Sequence, residues 1–452
     1  MFNSQFSIIE MMNNQHRNNK CTLIIACCVI FSSCSVSKKI GRSAQKIVLE
    51  NAALETAHVG ISIFDPSANT YLYNYQGDKY FIPASNTKIP TCYIAMKYLG
   101  KNLQGINYKT EGDTVFIYPT GDPTFLHPDF ERQRVFDFLK NTDKEIILST
   151  ANWQDDAWGS GWAWNDYSEA YMAERSVMPV YGNVVRFKGS IQNVSVVPEF
   201  FKRNFNFDSA LALNTHPSSI ERKLGENSFF ANAATERERE LQIPFFTQNS
   251  KLIYLLLQDT LAKPVQRSVS KRDSLTKYAA IHSQPTDSML KPMMHRSDNF
   301  FAEQSLLMVS NELLGVMNDS KVIDTILKTD FKDLPQKPRW ADGSGLSRYN
   351  LFTPQDFVTI LQKMKNEFGM ERIKEIFPTG NEGTLTNYYK TDSTYIFAKT
   401  GTLSGVVAIS GFIYTQKNKL LLFSVLVNNH QASATNVRRA IEVFLQGVRK
   451  TL

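Results

Sequence analysis

Three short motifs in this chain carry residue types that could together perform acyl transfer. They are Ser85-Asn86-Thr87-Lys88, Ser297-Asp298-Asn299 and Lys399-Thr400-Gly401. Positions three residues apart share one face of a helix, so Lys88 would lie over Ser85. A lysine on an open strand edge can hold a substrate carboxylate, and Gly401 lets a second backbone come close. These residue types indicate a nucleophilic serine that is activated by a lysine.

The Ser-x-x-Lys spacing is not unique to Ser85. The same spacing also begins at Ser35, Ser43, Ser268, Ser274 and Ser288. Ser85 alone is followed by a long amphipathic pattern, which predicts a helix that starts at the motif and ends near Gly100. Pro90 falls inside this helix and favours a kink. An isolated match would indicate a helix cap beside a solvated lysine, but both partner motifs follow in order and favour the catalytic interpretation.

The composition is typical of a globular protein with two domains. The chain has 452 residues, of which 42% are hydrophobic and 12% aromatic, with no low-complexity tract or evident repeat. The formal charge of +7 is spread through segments of mixed sign, so no nucleic-acid partner is predicted. Seven histidines are scattered and none has the His-Glu-x-x-His spacing of a zinc site, so no metal or other cofactor is expected.

The N-terminus resembles the signal peptide of a bacterial lipoprotein. A basic segment, residues 16–20, precedes an apolar stretch, residues 21–33, which is too short to span a bilayer. Residues 31–34 resemble a lipobox. We therefore expect residues 1–33 to be removed and Cys34 to anchor the protein to a membrane by lipid, on the periplasmic side of the cell envelope. An uncleaved anchor and an ordinary signal peptide are the alternatives. Besides Cys34 only Cys92 would then remain, so no intramolecular disulfide is expected.

Strand patterns stand near both ends of the chain. Residues 59–64 and 70–75 are predicted to form a hairpin, and the Lys399 strand is followed by strands at residues 406–414 and 420–428. A closing amphipathic helix follows at about residue 434. The pattern predicts an α+β fold, in which both termini build one antiparallel sheet that is covered by helices.

The long interval between Ser85 and Ser297 is predicted to hold a separate domain. Short strand patterns separated by turn residues fill much of it. Residues 34–100 and 281–452 would form the catalytic domain, and residues 101–280 a large, mainly β inserted domain.

The three motifs, their order and the size of the insertion resemble the class C low-molecular-mass penicillin-binding proteins. Four further segments match, at residues 121–124, 161–166, 342–348 and 382–385. The resemblance implies a β-lactamase/transpeptidase-like catalytic domain. It also implies serine-type D-alanyl-D-alanine carboxypeptidase or endopeptidase activity on peptidoglycan peptides, and acylation by β-lactam antibiotics.

The residue types suggest how such an enzyme would work. Ser85 would attack the D-Ala-D-Ala carbonyl and Lys88 would take its proton, which requires a desolvated lysine that faces a second cation. Lys399 would be that cation and would also bind the terminal carboxylate. Ser297 would relay protons toward the leaving amine, and Asn299 would hold the substrate amide and orient Lys88.

The resemblance implies further contacts. The backbone N–H groups of Ser85 and Thr402 would form the oxyanion hole, and Thr400 and Gly401 would line the substrate-binding strand. In relatives an acidic residue of the inserted domain, an arginine and a polar residue hold the free end of a diaminopimelate side chain, and the matching positions are Asp166, Arg348 and Ser404. As alternatives, Asp166 would cap a turn and Arg348 would make a structural ion pair. Trp162 and Trp164 are expected to pack rather than to contact substrate.

Two other functions stay open from the sequence. A β-lactamase would share the motifs but would hydrolyse its acyl-enzyme rapidly, and no glutamate is clearly placed as a deacylating base. A catalytically inactive peptidoglycan-binding module would keep the fold but lose catalytic residues, and Ser85, Lys88 and Lys399 are all intact.

Overall fold

The computed structural model describes residues 36–190, 193–207, 220–231, 239–248, 251–270, 278–391 and 393–451. The predicted signal peptide and Cys34 lie outside these ranges. Within them, no helix combines the length and apolar character needed to cross a bilayer.

The strands, in chain order, are β1 (His58–Asp65), β2 (Thr70–Tyr75), β3 (Asn102–Glu111), β4 (Thr114–Pro119), β5 (Glu145–Ser149), β6 (Val184–Ser190), β7 (Asn193–Val197), β8 (Phe205–Phe207), β9 (Ile220–Arg222), β10 (Phe229–Ala231), β11 (Arg239–Pro244), β12 (Val265–Ser268), β13 (Ala279–Pro285), β14 (Ile396–Leu403), β15 (Val406–Tyr414) and β16 (Leu420–Asn428). The α-helices are α1 (Lys88–Tyr98), α2 (Arg134–Asn141), α3 (Lys251–Leu261), α4 (Thr286–His295), α5 (Asn299–Leu314), α6 (Asp319–Lys328), α7 (Pro354–Ile376) and α8 (Ala434–Thr451). Residues 36–49 are also helical, and a 3₁₀ turn, Ala84–Thr87, leads into α1.

The larger sheet is built from both ends of the chain. Its order is β14-β15-β16-β1-β2, and every neighbouring pair is antiparallel. Strand β1 pairs with β16 over His58–Phe64, which closes the sheet between the termini. The predicted α+β fold with one antiparallel sheet is confirmed. Strand β14, which carries Lys399, is an edge strand.

Helices cover both faces of this sheet. Successive residues of β15 alternate between two cores, because side chains in a strand point to opposite faces. Ala408 and Phe412 pack with α1, α5 and α7. Val407 and Ile409 pack with α8 and the N-terminal helical residues. Burial on both faces explains why β15 and β16 are almost continuously hydrophobic.

The residues between α1 and α4 build three smaller sheets. A five-stranded sheet has the order β12-β5-β4-β3-β13, and two three-stranded sheets have the orders β11-β6-β7 and β8-β10-β9. They share a hydrophobic core with α2 and α3, which also includes Leu307 of α5 and Met317. Strand β13 pairs with β3 in the five-stranded sheet and ends at Pro285. The predicted domain boundary at residue 281 therefore falls inside this strand. The domain boundaries themselves stay a prediction.

Helix α1 differs from the predicted amphipathic helix. Ser85 lies in the 3₁₀ turn before it, and every residue from Lys88 to Met96 is buried, because the helix is enclosed on all sides. Pro90 is the third residue of α1, where a backbone N–H has no partner inside the helix. At this position the proline removes no hydrogen bond of the helix, so the kink that was expected at Pro90 is not required. Gly100 follows the helix with a φ of 69°, consistent with a stop.

Candidate active site

Ser85 opens into a cavity of about 530 Å³ between the larger sheet, α5 and the inserted segment. Its lining includes residues of the two serine motifs and the residues that directly follow the Lys-Thr-Gly motif. The lining residues are Ser85, Gly161, Ala163, Asp166, Tyr171, Ser297, Asn299, Gly345, Leu346, Arg348, Thr402, Leu403 and Ser404. Residues that are far apart in the sequence thus meet at one cavity.

Lys88 is fully buried and makes three hydrogen bonds from its Nζ. It donates to Ser85 Oγ at 3.1 Å, to Asn299 Oδ1 at 2.6 Å and to the carbonyl of Ser344 at 2.8 Å. Burial lowers the pKa of Lys88 to about 8, although nearby carboxylates oppose this change. A lysine with such a pKa can exist as the neutral amine near physiological pH, and its contact with Ser85 is short enough for proton transfer.

Lys399 approaches the cavity from the edge strand. Its Nζ donates to Ser297 Oγ at 2.9 Å and to the carbonyl of Thr400 at 2.7 Å. Burial, and then the charges of Lys88 and Arg438, hold the pKa of Lys399 well below its usual value. Ser297 has a φ of 61° in the short connection between α4 and α5. A non-glycine residue with positive φ is uncommon and occurs often at functional sites, where the surrounding structure holds it.

Gly401 lets the edge strand come close to the serine turn. A Cβ atom added at Gly401 would lie 2.7 Å from the carbonyl oxygen of Pro83 and 2.9 Å from the nitrogen of Ser85. Any side chain would therefore push β14 away from Ser85. This explains the glycine in physical terms, as the motif predicted. Thr400 is 8% exposed, and its hydroxyl bonds to that of Thr384 at 2.7 Å.

Asn86 connects the serine turn to the sheet, a role that the sequence did not reveal. When its amide is oriented so that both the nitrogen and the oxygen have hydrogen-bond partners, Asn86 donates to the carbonyl of Lys399 at 2.8 Å and accepts from Ser410 Oγ at 2.7 Å. Asn86 is fully buried. The sequence offered one indication that Asn86 matters, which is its position inside the Ser-x-x-Lys motif. Its partners could not be inferred, because they lie more than 300 residues away.

Asp342 organises the loop that places Ser344 and Arg348. Its buried carboxylate accepts from the backbone nitrogens of Gly345 at 2.8 Å and Ser347 at 2.6 Å. It also accepts from Asn350 Nδ2 at 2.7 Å and from Trp162 Nε1 at 3.0 Å. These four hydrogen bonds to Asp342 fix the conformation of the loop. The loop in turn places the carbonyl of Ser344 where it accepts from Lys88. Trp162 therefore supports the loop.

Trp164 does not pack, because its side chain is 70% exposed. The prediction that both tryptophans are packing residues is wrong for this one. It begins the 3₁₀ turn Trp164–Asp166, which lies beside the cavity and has no buried residue.

Asp166, Arg348 and Ser404 lie together on the cavity lining. Arg348 Nη2 donates to the carbonyl of Ser404 at 2.9 Å, and no carboxylate oxygen of the described residues lies within 4 Å of Arg348. The structural ion pair considered for Arg348 is therefore absent from the described residues. Burial, together with the charge and hydrogen bonding of Asp166, raises the pKa of Tyr171 to about 12.

No group of three or more His, Cys, Asp or Glu side chains within the described ranges could hold a metal ion. Of the predicted site residues, only Cys34 is not described. The others line the serine cavity or lie on the edge strand beside it, except Lys88, which lies beneath Ser85 in α1 and contacts it.

A helix-covered antiparallel sheet, with a serine and a lysine facing a Lys-Thr-Gly edge strand, defines the penicillin-recognising serine enzymes. The model of the D-Ala-D-Ala carboxypeptidase 3 (S13) family matches residues 42–448. The chain belongs to this family and is a serine-type D-Ala-D-Ala carboxypeptidase, which confirms the class C penicillin-binding protein prediction. Because D-Ala-D-Ala ends belong to peptidoglycan peptides, its place of action is the bacterial cell envelope.

Individual relatives agree over most of the chain. The D-alanyl-D-alanine carboxypeptidase DacB of Haemophilus influenzae is 23% identical over 438 residues, which cover 83% of this chain and 86% of the relative. A D-alanyl-D-alanine carboxypeptidase of an Actinomadura species is 24% identical over 463 residues, covering 88% and 83%. The crystal structure of penicillin binding protein 4 (dacB) from Haemophilus influenzae superposes with a TM-score of 0.71 at 19% identity, covering 90% of this chain and 98% of that one. This likeness establishes the fold.

Proposed function

We propose that the protein hydrolyses the D-Ala-D-Ala bond of peptidoglycan peptides through an acyl-enzyme at Ser85. The observation that carries this proposal is the 3.1 Å contact between Lys88 Nζ and Ser85 Oγ, at a lysine whose burial lowers its pKa to about 8. Lys88 takes the serine proton as Ser85 attacks the carbonyl carbon. The backbone N–H groups of Ser85 and Thr402 donate to the oxyanion, and losing one such donor typically costs about 10²–10³ in rate.

Lys399 and Ser297 serve the other end of the scissile bond. The 2.9 Å contact between them gives Ser297 a donor, so its own hydroxyl hydrogen can pass to the leaving amine. Lys399 also supplies a positive charge for the terminal carboxylate. Water then attacks the acyl-enzyme and releases the shortened peptide. β-Lactams acylate Ser85 in the same way because they imitate the substrate, and they leave slowly.

Asn299 has two tasks in this proposal. Its Oδ1 accepts from Lys88 at 2.6 Å, which orients the lysine, while its Nδ2 donates to the carbonyl of Tyr171 at 2.9 Å. An amide nitrogen carries two hydrogens, so the second remains for the substrate amide.

The subsite made by Asp166, Arg348 and Ser404 would select peptides that carry a free diaminopimelate end. A carboxylate matches the ammonium of that group, and a guanidinium matches its carboxylate. All three residues share the cavity with Ser85, which supports one substrate reaching both places.

We further propose that the mature protein begins at Cys34, is anchored by lipid and works on the periplasmic side of the envelope. Metabolic labelling with a radioactive fatty acid should mark the wild-type protein and leave Cys34→Ser unlabelled. Equal labelling of the two, or no labelling of either, would contradict the anchor.

Purified muropeptides provide the test of the activity. Incubation with monomeric and cross-linked muropeptides, followed by mass spectrometry, should show loss of a terminal D-Ala, cleavage of cross-links, or both, and Ser85→Ala should be inactive. The ratio of the two products gives the carboxypeptidase or endopeptidase preference. Unchanged muropeptides beside rapid, repeated turnover of a chromogenic cephalosporin would instead favour the β-lactamase alternative. No reaction with either would favour an inactive binding module.

A further inference from the structure

The N-terminal helical segment, residues 36–49, is packed onto the fold along one face. The fully buried side chains of this face are Ile40, Ala44 and Val48. They belong to the same hydrophobic core as the buried face of α8. The two helices also approach closely, because a Cβ atom added at Gly447 of α8 would lie 3.2 Å from Ser43 Oγ. This packing fixes the orientation of the segment on the protein.

The opposite face of the same segment is basic. Its cations are Lys38, Lys39, Arg42 and Lys46, and all four side chains are exposed. Positions 38, 42 and 46 each precede a buried position by two residues, which is about half a turn of a helix. The four cations therefore form one stripe, called the basic face below, that points away from the core.

The charge of the basic face is not offset by neighbouring carboxylates. No carboxylate oxygen of the described residues lies within 4 Å of any of the four cations. Glu50, at the end of the segment, accepts instead from Gln45 Nε2 at 3.0 Å. Exposed lysines elsewhere in the described ranges do face a carboxylate one turn away, as in the pairs Lys202–Glu199, Lys223–Glu226 and Lys328–Asp324. A stripe of unpaired cations attracts an anionic surface.

The position of the basic face in the chain indicates which anionic surface it meets. Lys38 follows Cys34, the proposed lipid-bearing residue, by four positions, which is at most about 14 Å of extended chain. Anionic headgroups attract lysine and arginine over about a Debye length, near 8 Å at physiological ionic strength. An anchor at Cys34 would therefore hold the basic face at the distance from the bilayer where this attraction acts.

We propose that the basic face binds the anionic phospholipid headgroups of the membrane and thereby sets the orientation of the enzyme on the bilayer. A lipid at Cys34 holds the chain to the membrane but does not select which side of the protein faces it. The basic face makes that selection, since it is fixed on the fold. Each cation near an anionic bilayer typically strengthens binding by about fivefold. The proposal rests on the lipid anchor proposed above.

The test uses the protein produced with its own N-terminal segment, purified and mixed with two kinds of vesicle. One kind contains phosphatidylcholine alone, and the other an equal mixture of phosphatidylcholine and phosphatidylglycerol. A lysine-acetylating reagent that does not cross membranes is then added, and mass spectrometry follows each lysine. Lys38 and Lys39 should react at least about threefold more slowly with the anionic vesicles, and high salt should remove this difference.

Two double variants separate the basic face from the anchor. Arg42→Glu with Lys46→Glu reverses two charges of the face and should abolish the difference between the two kinds of vesicle. Lys223→Glu with Lys328→Glu changes the formal charge equally at exposed sites outside the face and should keep the difference. Both double variants should be acylated by benzylpenicillin as the wild type is, which shows that they are folded.

Equal acetylation with both kinds of vesicle would overturn the proposal. A difference that survives in Arg42→Glu with Lys46→Glu would overturn it too, because the anchor alone would then cause it, and so would a loss of the difference in the control variant. Flotation of the vesicles distinguishes failure of the anchor. Wild-type protein that floats only with anionic vesicles at low salt would contradict the anchor and support the basic face, and protein that floats with neither kind would contradict both.

Discussion

Asn299 is bound by the inserted segment at the same time as it binds the general base. Its Nδ2 donates to the carbonyl of Tyr171 at 2.9 Å, and its Oδ1 accepts from Lys88 at 2.6 Å. Further along α5, Gln304 exchanges hydrogen bonds with the backbone of Ser176 at 3.1 and 3.0 Å. The residues from 171 to 176 thus fix the helix that carries Asn299. The insertion contributes to the geometry of the catalytic lysine as well as to the cavity wall.

Arg175 forms the charged part of this junction. Its guanidinium contacts Asp319 at 2.6 Å, Asp155 at 2.9 Å and Glu303 at 3.6 Å, and its side chain is only 1% exposed. Arg175→Met should reduce the free energy of unfolding by about 3–5 kcal/mol, because it leaves buried carboxylates without their cation. Chemical denaturation measures this loss. Lys328→Met, which removes a surface pair with Asp324, is the control and should change stability little. A comparable effect of both substitutions would refute this description of the junction.

The second prediction concerns Lys399. Lys399→Ala should lower kcat/KM for peptide cleavage by about 10²-fold or more, since it removes the cation that serves the carboxylate and faces Lys88. Lys399→Arg should lose less, because a cation remains. Steady-state kinetics over a range of pH provide the measurement. Near-normal activity of Lys399→Ala with an unchanged pH profile would contradict a mechanism with two lysines.

The third prediction is a pH profile. Because the pKa of Lys88 is lowered to about 8, the neutral base becomes more abundant as pH rises, and acylation by benzylpenicillin should accelerate up to about pH 8 and then level off. The charged groups that face Lys88 are Asp342, Glu303, Asp298 and Lys399.

Glu303 provides a way to move this profile. Its Oε1 accepts from the nitrogen of Ser344 at 2.7 Å, and the carbonyl of the same residue accepts from Lys88. Burial raises the pKa of Glu303 itself to about 8. Glu303 is therefore ionised only as the pH approaches about 8, and Glu303→Gln removes the negative charge that then favours protonated Lys88. The upper part of the acid limb should move to lower pH, by about 0.5 unit or less. Asp319→Asn is the comparison, since Asp319 also contacts Arg175 but acts on Lys88 only through the pKa of Glu303, so the limb should move less than in Glu303→Gln. A limb that stays in place in Glu303→Gln would show that this charge does not influence the base.

The fourth prediction concerns specificity. Asp166→Ala should reduce cleavage of peptides with a free diaminopimelate end by about one to three orders of magnitude, because one charged contact is typically worth a few kcal/mol. Acylation by benzylpenicillin, which has no such ammonium, should change little. Parallel assays with the peptide and the antibiotic distinguish the explanations. Equal losses would mean that Asp166 supports the fold, and no loss in either assay would remove it from the substrate site.

The sequence allowed the larger sheet and the catalytic motifs to be predicted, because their signals are local. Strand patterns at both termini and the turn between β15 and β16 lead directly to one antiparallel sheet. The packing around α1 was not predictable in the same way. Its periodic apolar residues indicated one buried face, whereas the sheet, α5 and α7 enclose the whole helix.

The missed site residues share one property, which is that their partners are distant in the sequence. Asn86 pairs with Ser410, and Arg438 reaches Thr402 from the closing helix. Glu303 could have been noticed, since it follows Asn299 by one helical turn and shares its face. Its link to Lys88 runs through Ser344, however, and no local pattern connects that loop to α5.

The assignment of Ser85 as the nucleophile is tested by intact-mass analysis after incubation with benzylpenicillin, followed by peptide mapping. Wild-type protein should gain a single adduct, located on the peptide that contains Ser85, and Ser85→Ala should gain none. The 3.1 Å contact between Lys88 Nζ and Ser85 Oγ places a buried base beside this hydroxyl. An adduct at Ser268, Ser274 or Ser288, or the same adduct on Ser85→Ala, would contradict the assignment.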